Sequence, residues 1–89
     1  MKIKKNLIYS NIAGKHILVP VGEDPKRYSG VFCISETAAR MWELLCRNPD
    51  EETVLMMMLN EYDVSRHVLK KDFDEFIGFL RAEGIVEDD

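Results

Sequence analysis

Two histidines, two cysteines and a short run of carboxylates are the residues of this 89-residue chain that could do chemistry. A metal site takes three or four ligands at recurring short spacings. His16 falls in an expected strand and His67 in the first turn of an expected helix, with no cysteine or second histidine near either. Both read as exposed or half-exposed side chains, and no metal is expected. A nucleophile needs a base and an orienting group beside it. Cys33, mid-strand, and Cys46, near a helix end, show neither and are expected to be small buried apolar residues. Asp72, Asp74 and Glu75 suggest carboxylate chemistry, but a solvated helix face accounts for at least two of them. The chain has no paired-histidine helix motif, no glycine-rich phosphate loop and no Cys-x-x-Cys. A non-enzymatic protein without a cofactor is therefore expected. Of Met56, Met57 and Met58, only Met58 falls clearly on a buried helix stripe.

Composition narrows the class further. Hydrophobic residues make up 46% and charged residues 31%, the balance of a globular protein. A chain this short buries only about 60–65% of its unfolded surface, enough for one modest core. Residues 1–89 are expected to form one domain. The net charge is −4 and the pI about 5.1, which disfavours general nucleic-acid binding, since phosphate contacts need clustered positive charge. The charge is uneven: residues 1–30 carry six basic and two acidic side chains, residues 31–89 six and fourteen. The longest apolar run, Val54 to Leu59, is far short of the roughly 20 residues that cross a bilayer. Met1-Lys2-Ile3-Lys4-Lys5 resembles the basic front of a signal peptide, but no apolar stretch follows it. A cytoplasmic protein is expected.

The elements divide into strands and then helices. Leu7 to Ile12 and His16 to Val21 flank the turn Ala13-Gly14-Lys15 and read as a hairpin. Pro20 cannot donate to a ladder, so its strand is an edge there or ends there. Gly22 to Gly30 reads as a loop, and Val31 to Ile34 as a short third strand. Ser35 caps a helix to about Arg47, with Ala38, Met41, Trp42 and Leu45 on one face. Asn48-Pro49 breaks it. Asp50 caps a second helix, with Val54, Leu55, Met58, Leu59 and Tyr62 inward. Ser65 caps a third, with Leu69, Phe73, Phe76, Ile77 and Leu80 as its stripe and Gly84 at its end. Ile85-Val86 packs after it, and Glu87-Asp88-Asp89 is a solvated tail. The order predicts an α+β fold, winged-helix-like: a three-stranded antiparallel sheet followed by three helices.

Two of these elements point to a partner. Val31, Phe32, Cys33 and Ile34 hold neither charge nor proline, so at a sheet edge their main chain would invite another strand. The third helix flanks its stripe with Val68, Asp72 and Phe79 on one side and with Ile77, Arg66 and Lys70 on the other. That arc, about 180° wide, exceeds what a core-facing helix needs. Its surplus beside an open strand would make a groove for an extended peptide. The expected peptide-binding residues are Val31, Phe32, Cys33 and Ile34 on the strand and Val68, Leu69, Asp72, Phe73 and Phe76 on the helix. Arg66, Lys70 and Lys71 stand where they could meet acidic peptide residues.

Six stretches together resemble one family. They are Ile12-Ala13-Gly14, Val19-Pro20-Val21-Gly22, Ser35-Glu36-Thr37-Ala38, Met41-Trp42-Glu43-Leu44-Leu45, Glu61-Tyr62-Asp63-Val64 and Glu83-Gly84-Ile85-Val86. In order and spacing, over nearly the whole chain, they resemble the PqqD family of peptide chaperones, also called RiPP recognition elements. The resemblance implies a winged-helix-like fold and no catalysis. It implies capture of the leader of a ribosomally made precursor peptide, added as an antiparallel strand to the third strand over the third helix. It also implies delivery to a modifying enzyme, commonly a radical-SAM protein. Arg47-Asn48-Pro49 and Val19-Pro20-Val21 depart from the Asp-Gly and Ala-Pro-Glu of members serving pyrroloquinoline quinone synthesis.

Two rival readings remain. A winged-helix DNA-binding regulator would need positive charge on its recognition helix, but Asp72, Asp74 and Glu75 follow Arg66, Lys70 and Lys71 at once. A homodimer through the open strand edge is the other.

Overall fold

The hairpin is set by its turn. The structure, a computed structural model, describes residues 2–3, 7–20, 31–47 and 50–87. After a short β1 (Lys2–Ile3), strands β2 (Leu7–Ile12) and β3 (Lys15–Pro20) pair antiparallel from Leu7↔Pro20 to Ile12↔Lys15. Only Ala13 and Gly14 lie between them, with φ of 52° and 82°. Two left-handed residues make the mirror-image turn whose twist suits a hairpin. The Gly14 N–H donates to Asn11 Oδ1 at 3.1 Å. Glycine adopts this backbone freely, whereas alanine is strained in it. Ala13→Asn should therefore stabilise the protein by about 1 kcal/mol, read as a raised melting temperature.

Strand β4 (Phe32–Ile34) joins the other side of β3, giving the order β2-β3-β4. Its register, His16↔Ile34 to Leu18↔Phe32, stops short of Pro20. Pro20 thus sits where β3 is paired with β2 alone among the described residues. Val31 precedes the strand and is exposed. Val21, the expected Gly22–Gly30 loop, the Asn48-Pro49 break and Asp88-Asp89 lie outside the described residues.

The three expected caps form. Ser35 Oγ accepts from Ala38 N–H at 3.0 Å and starts α1 (Glu36–Arg47). Asp50 Oδ2 accepts from the Thr53 N–H at 3.1 Å and its hydroxyl at 2.7 Å, opening α2 (Glu51–Glu61). Those two bonds hold the Asp50 carboxyl below the usual carboxylate range. Ser65 Oγ accepts from Val68 N–H at 3.2 Å at the start of α3 (Arg66–Ala82). At the other end of α3, Ile85 N–H donates to Leu80 O at 2.9 Å and Gly84 N–H to Arg81 O at 3.0 Å, with Gly84 at φ 72°. This pair of bonds reverses the chain, and Leu80 and Ile85 are both buried beside it. The turn aims β5 (Val86–Glu87) at β1, and the two form a separate two-stranded sheet. The sequence gives no sign of that sheet, because two-residue strands have no periodicity. Glu87, expected in a solvated tail, is half-buried within it.

The predicted stripes meet in one core. Leu18 from the sheet packs with Met41, Trp42 and Leu45 of α1, Val54, Leu55 and Met58 of α2, and Leu69, Phe73, Ile77 and Leu80 of α3. Leu59 and Tyr62 are half-buried at its margin. Met56 and Met57 face outward, as their offset from the stripe requires. Trp42 is the largest side chain of the cluster and only 3% exposed. Trp42→Ala should cost about 3–5 kcal/mol, a large part of the stability of any small domain. A melting temperature within a few degrees of wild type would overturn its place in the core.

A charged clamp ties α1 to the end of α2. Arg40 donates through Nε to Glu61 Oε1 at 2.8 Å and through Nη2 to Oε2 at 2.7 Å, with Nη1 on Glu43 at 2.6 Å. The Arg40 hydrogen bonds hold the Glu61 carboxyl below its ordinary range. A carboxylate with a depressed folded pKa adds stability above its unfolded pKa of about 4.3, and that contribution is lost as pH falls through the folded value. Glu61→Gln should therefore lower the melting temperature near neutral pH, and the difference should disappear in acid below the carboxylate range. A gap that persists unchanged at low pH would show that the pair does not act through charge.

Candidate functional site

The site is built where the sheet runs out. Strand β4 pairs with β3 on one side and has no second partner among the described residues. The open side presents main-chain N–H and C=O groups, the template on which a further strand forms. Against β4 lies a groove of about 540 Å³. Its walls are Cys33, Ile34 and Ser35, then Thr37, Ala38 and Met41 of α1, then Asp72, Glu75, Phe76 and Phe79 of α3.

Phe32 and Phe79 lock the two walls together. Their ring centroids are 5.3 Å apart, edge to face at 83°, an arrangement the ring quadrupoles favour. Helix α3 serves both sides at once. Leu69, Phe73 and Leu80 are at most 1% exposed in the core, while Asp72, Glu75 and Phe79 turn toward the groove.

Most of the expected strand residues and two of the five expected helix residues come together here. Cys33, Ile34, Asp72 and Phe76 line the groove, and Phe32 packs at its end. Val31 is exposed just before β4. Val68 is 48% exposed one turn before Asp72, on the same face of α3. Leu69 and Phe73 stand in the core and not on the groove wall, because they occupy the centre of the helix stripe. Phe79 was expected only as a flank of that stripe. The α1 residues Thr37, Ala38 and Met41 gave no signal, since nothing in a sequence shows that the first turns of α1 face α3.

Both cysteines correct the sequence reading: they are exposed, not buried. Cys33 is in register with Ile17, next to the pair of Phe32 and the buried Leu18, so the alternation of a strand keeps it off the core face while it still borders the groove. Cys46 lies about a third of a turn off the α1 stripe. Partial burial still pushes its thiol above the ordinary value.

The cations at the start of α3 are engaged. Arg66 Nη2 meets Glu52 at 2.7 and 3.0 Å. Lys70 Nζ lies 2.8 Å from both Glu51 and Asp74, which hold its ammonium above the ordinary lysine value. The bonds to Glu52 and Glu51 join α3 to α2. His16 accepts or shares a 2.6 Å bond with the Tyr9 hydroxyl on the sheet, and His67 is exposed. Among the described residues no group of three or more potential metal ligands converges, and no helix is long and apolar enough to cross a membrane.

A winged-helix-like α+β domain with an open edge strand laid beside its last helix is the class these features define. The chain belongs to the PqqD family: the family described as coenzyme PQQ synthesis protein D matches residues 15–86. Among solved structures it resembles "TbiB1 in Complex with the TbiA(beta) Leader Peptide", with a TM-score of 0.74 and 22% identity, over 100% of this chain and 98% of that one. That likeness establishes a shared fold. Comparison with curated protein sequences gives no significant match.

Proposed function

We propose that the protein is a non-catalytic module that captures the leader of a ribosomally made precursor peptide. The leader adds as a strand to β4, lies over α3, and is presented to a modifying enzyme, a radical-SAM protein in the form most common for the family. The observation that carries this reading is the position of β4 at the edge of the sheet among the described residues, beside the groove. Membership of the PqqD family and the leader-bound state of the similar structure support it. The DNA-binding alternative loses its main requirement, because Arg66 and Lys70 are held by carboxylates of the protein itself. The same strand edge is open to a second copy of the chain, so a homodimer and the leader would compete for it.

In this reading affinity comes from the main chain of Val31 to Ile34 and discrimination from side chains of the groove. Val68, Asp72 and Phe76 meet the leader directly, while Leu69 and Phe73 support the helix from beneath. Val68→Asp puts a charge on the exposed apolar position one turn before Asp72, beside the groove, and leaves the core untouched. It should weaken binding of the precursor leader at least about tenfold, whereas Lys71→Ala, which removes one exposed charge, should change it little. Titration of the leader against both variants, with a melting curve for each, is the check. Equal affinity of wild type and a folded Val68→Asp would place the binding surface elsewhere. A short peptide frame and a radical-SAM frame beside the gene would support the class of function.

A further inference from the structure

The groove has an apolar floor and an acidic wall. Ile34, Met41, Phe76 and Phe79 supply the floor, and Asp72 and Glu75 stand exposed on the α3 side. Neither carboxylate forms a hydrogen bond or ion pair with any described residue. The cations that would compensate them are committed elsewhere: Arg66 to Glu52, and Lys70 to Glu51 and Asp74. Lys71 stands with Glu75 on the adjoining face but pairs with neither carboxylate. Among the described residues the wall thus presents two carboxylates without a bonded cation to whatever fills the groove.

Spacing converts this into a pattern. Residues four apart on a helix are about 6.0 Å apart along its axis. Alternate residues of a strand, which point the same way, are about 6.8 Å apart. Side chains two apart on an added strand therefore meet successive turns of α3: first Asp72 and Glu75, then Phe76 and Phe79. Direction follows from β4. Its first residue, Phe32, packs on Phe79 near the end of α3, while Ser35 and Thr37, just past its last residue, line the same groove as Asp72. Strand β4 so runs against α3, and a strand antiparallel to β4 runs along it.

On the strand-addition reading above, we infer that the recognised segment carries a lysine or arginine followed, two residues later, by a large apolar residue. The basic side chain pairs with Asp72 and Glu75, and the apolar one enters between Phe76 and Phe79. Two exposed ion pairs of this kind make a difference of about tenfold in affinity.

A display library of short randomised peptides, selected on the wild-type protein and on Asp72→Lys/Glu75→Lys, tests this. Both positions are exposed, and a melting curve establishes that the double variant is folded. If it is not, Asp72→Asn and Glu75→Gln separately serve in its place. The expected result is enrichment of basic-x-apolar sequences by wild type. The double variant should lose that preference or turn it to acidic-x-apolar sequences. Proline or N-methylation within the enriched segment should abolish binding. Enriched peptides that bind through their main chain but show no charge preference, or the same preference in the variant, would overturn the acidic-wall inference and leave strand addition standing. Enrichment no greater than on an unrelated control domain, or indifferent to proline, would overturn strand addition and the inference with it.

Discussion

A strand at the edge of the sheet, with one partner among the described residues, is the constraint around which this fold is arranged. Main-chain N–H and C=O groups are obligatory bonding groups, and an open edge is an invitation to any extended chain. Strand β4 keeps that edge to three residues, Phe32–Ile34. A template so short offers few main-chain bonds by itself. A partner strand gains enough only if neighbouring side chains add to it, and that requires a wall held at a fixed distance from the edge. The Phe32–Phe79 contact holds it there, and the core under α3 keeps Phe79 from moving.

Rigidity of α3 therefore comes from several local devices acting on one helix. Its start is capped by Ser65 and tied to α2 through Arg66 and Lys70. Its end is closed by the bonds at Gly84 and Ile85. Exposed ion pairs contribute little each, so these pairs matter more for where the charge goes than for stability. They neutralise the basic start of the helix inside the molecule. What faces the groove is then set by Asp72 and Glu75, a sign opposite to the one the run Arg66, Lys70, Lys71 suggests in sequence.

That reversal shows how far the sequence could be read. Helix boundaries, caps and stripes were legible, because each rests on local rules: a side-chain oxygen before a periodic apolar run, a glycine after it. The open third strand was legible too, from an uncharged four-residue run followed at once by a cap. The β1–β5 pair was not, since it depends on where the α3 reversal happens to aim the chain. The groove was half legible. The width of the α3 arc exposed Phe76 and Asp72, but which cations are consumed depends on α2 lying alongside α3, a tertiary fact. The exposed Cys33 was misread for a different reason. Its neighbours Phe32 and Ile34 are half-buried, and a three-residue strand is too short for its alternation to show.

On the proposed function, division of labour within the site follows from the chemistry of strand addition. Main-chain bonds are the same for every sequence, so β4 cannot tell one extended peptide from another. Discrimination falls to the few side chains within reach, and of these the apolar floor distinguishes only size. A difference of one or two methylenes there is worth little more than about 1–3 kcal/mol. Charge on the wall is the remaining lever, because a like-charged residue set against Asp72 or Glu75 is repelled while an opposite one is held. On the proposed function, a module of this size that must choose one peptide among many extended segments gains most from the sign of two exposed residues, and Asp72 and Glu75 lie on a face of α3 that the core leaves free.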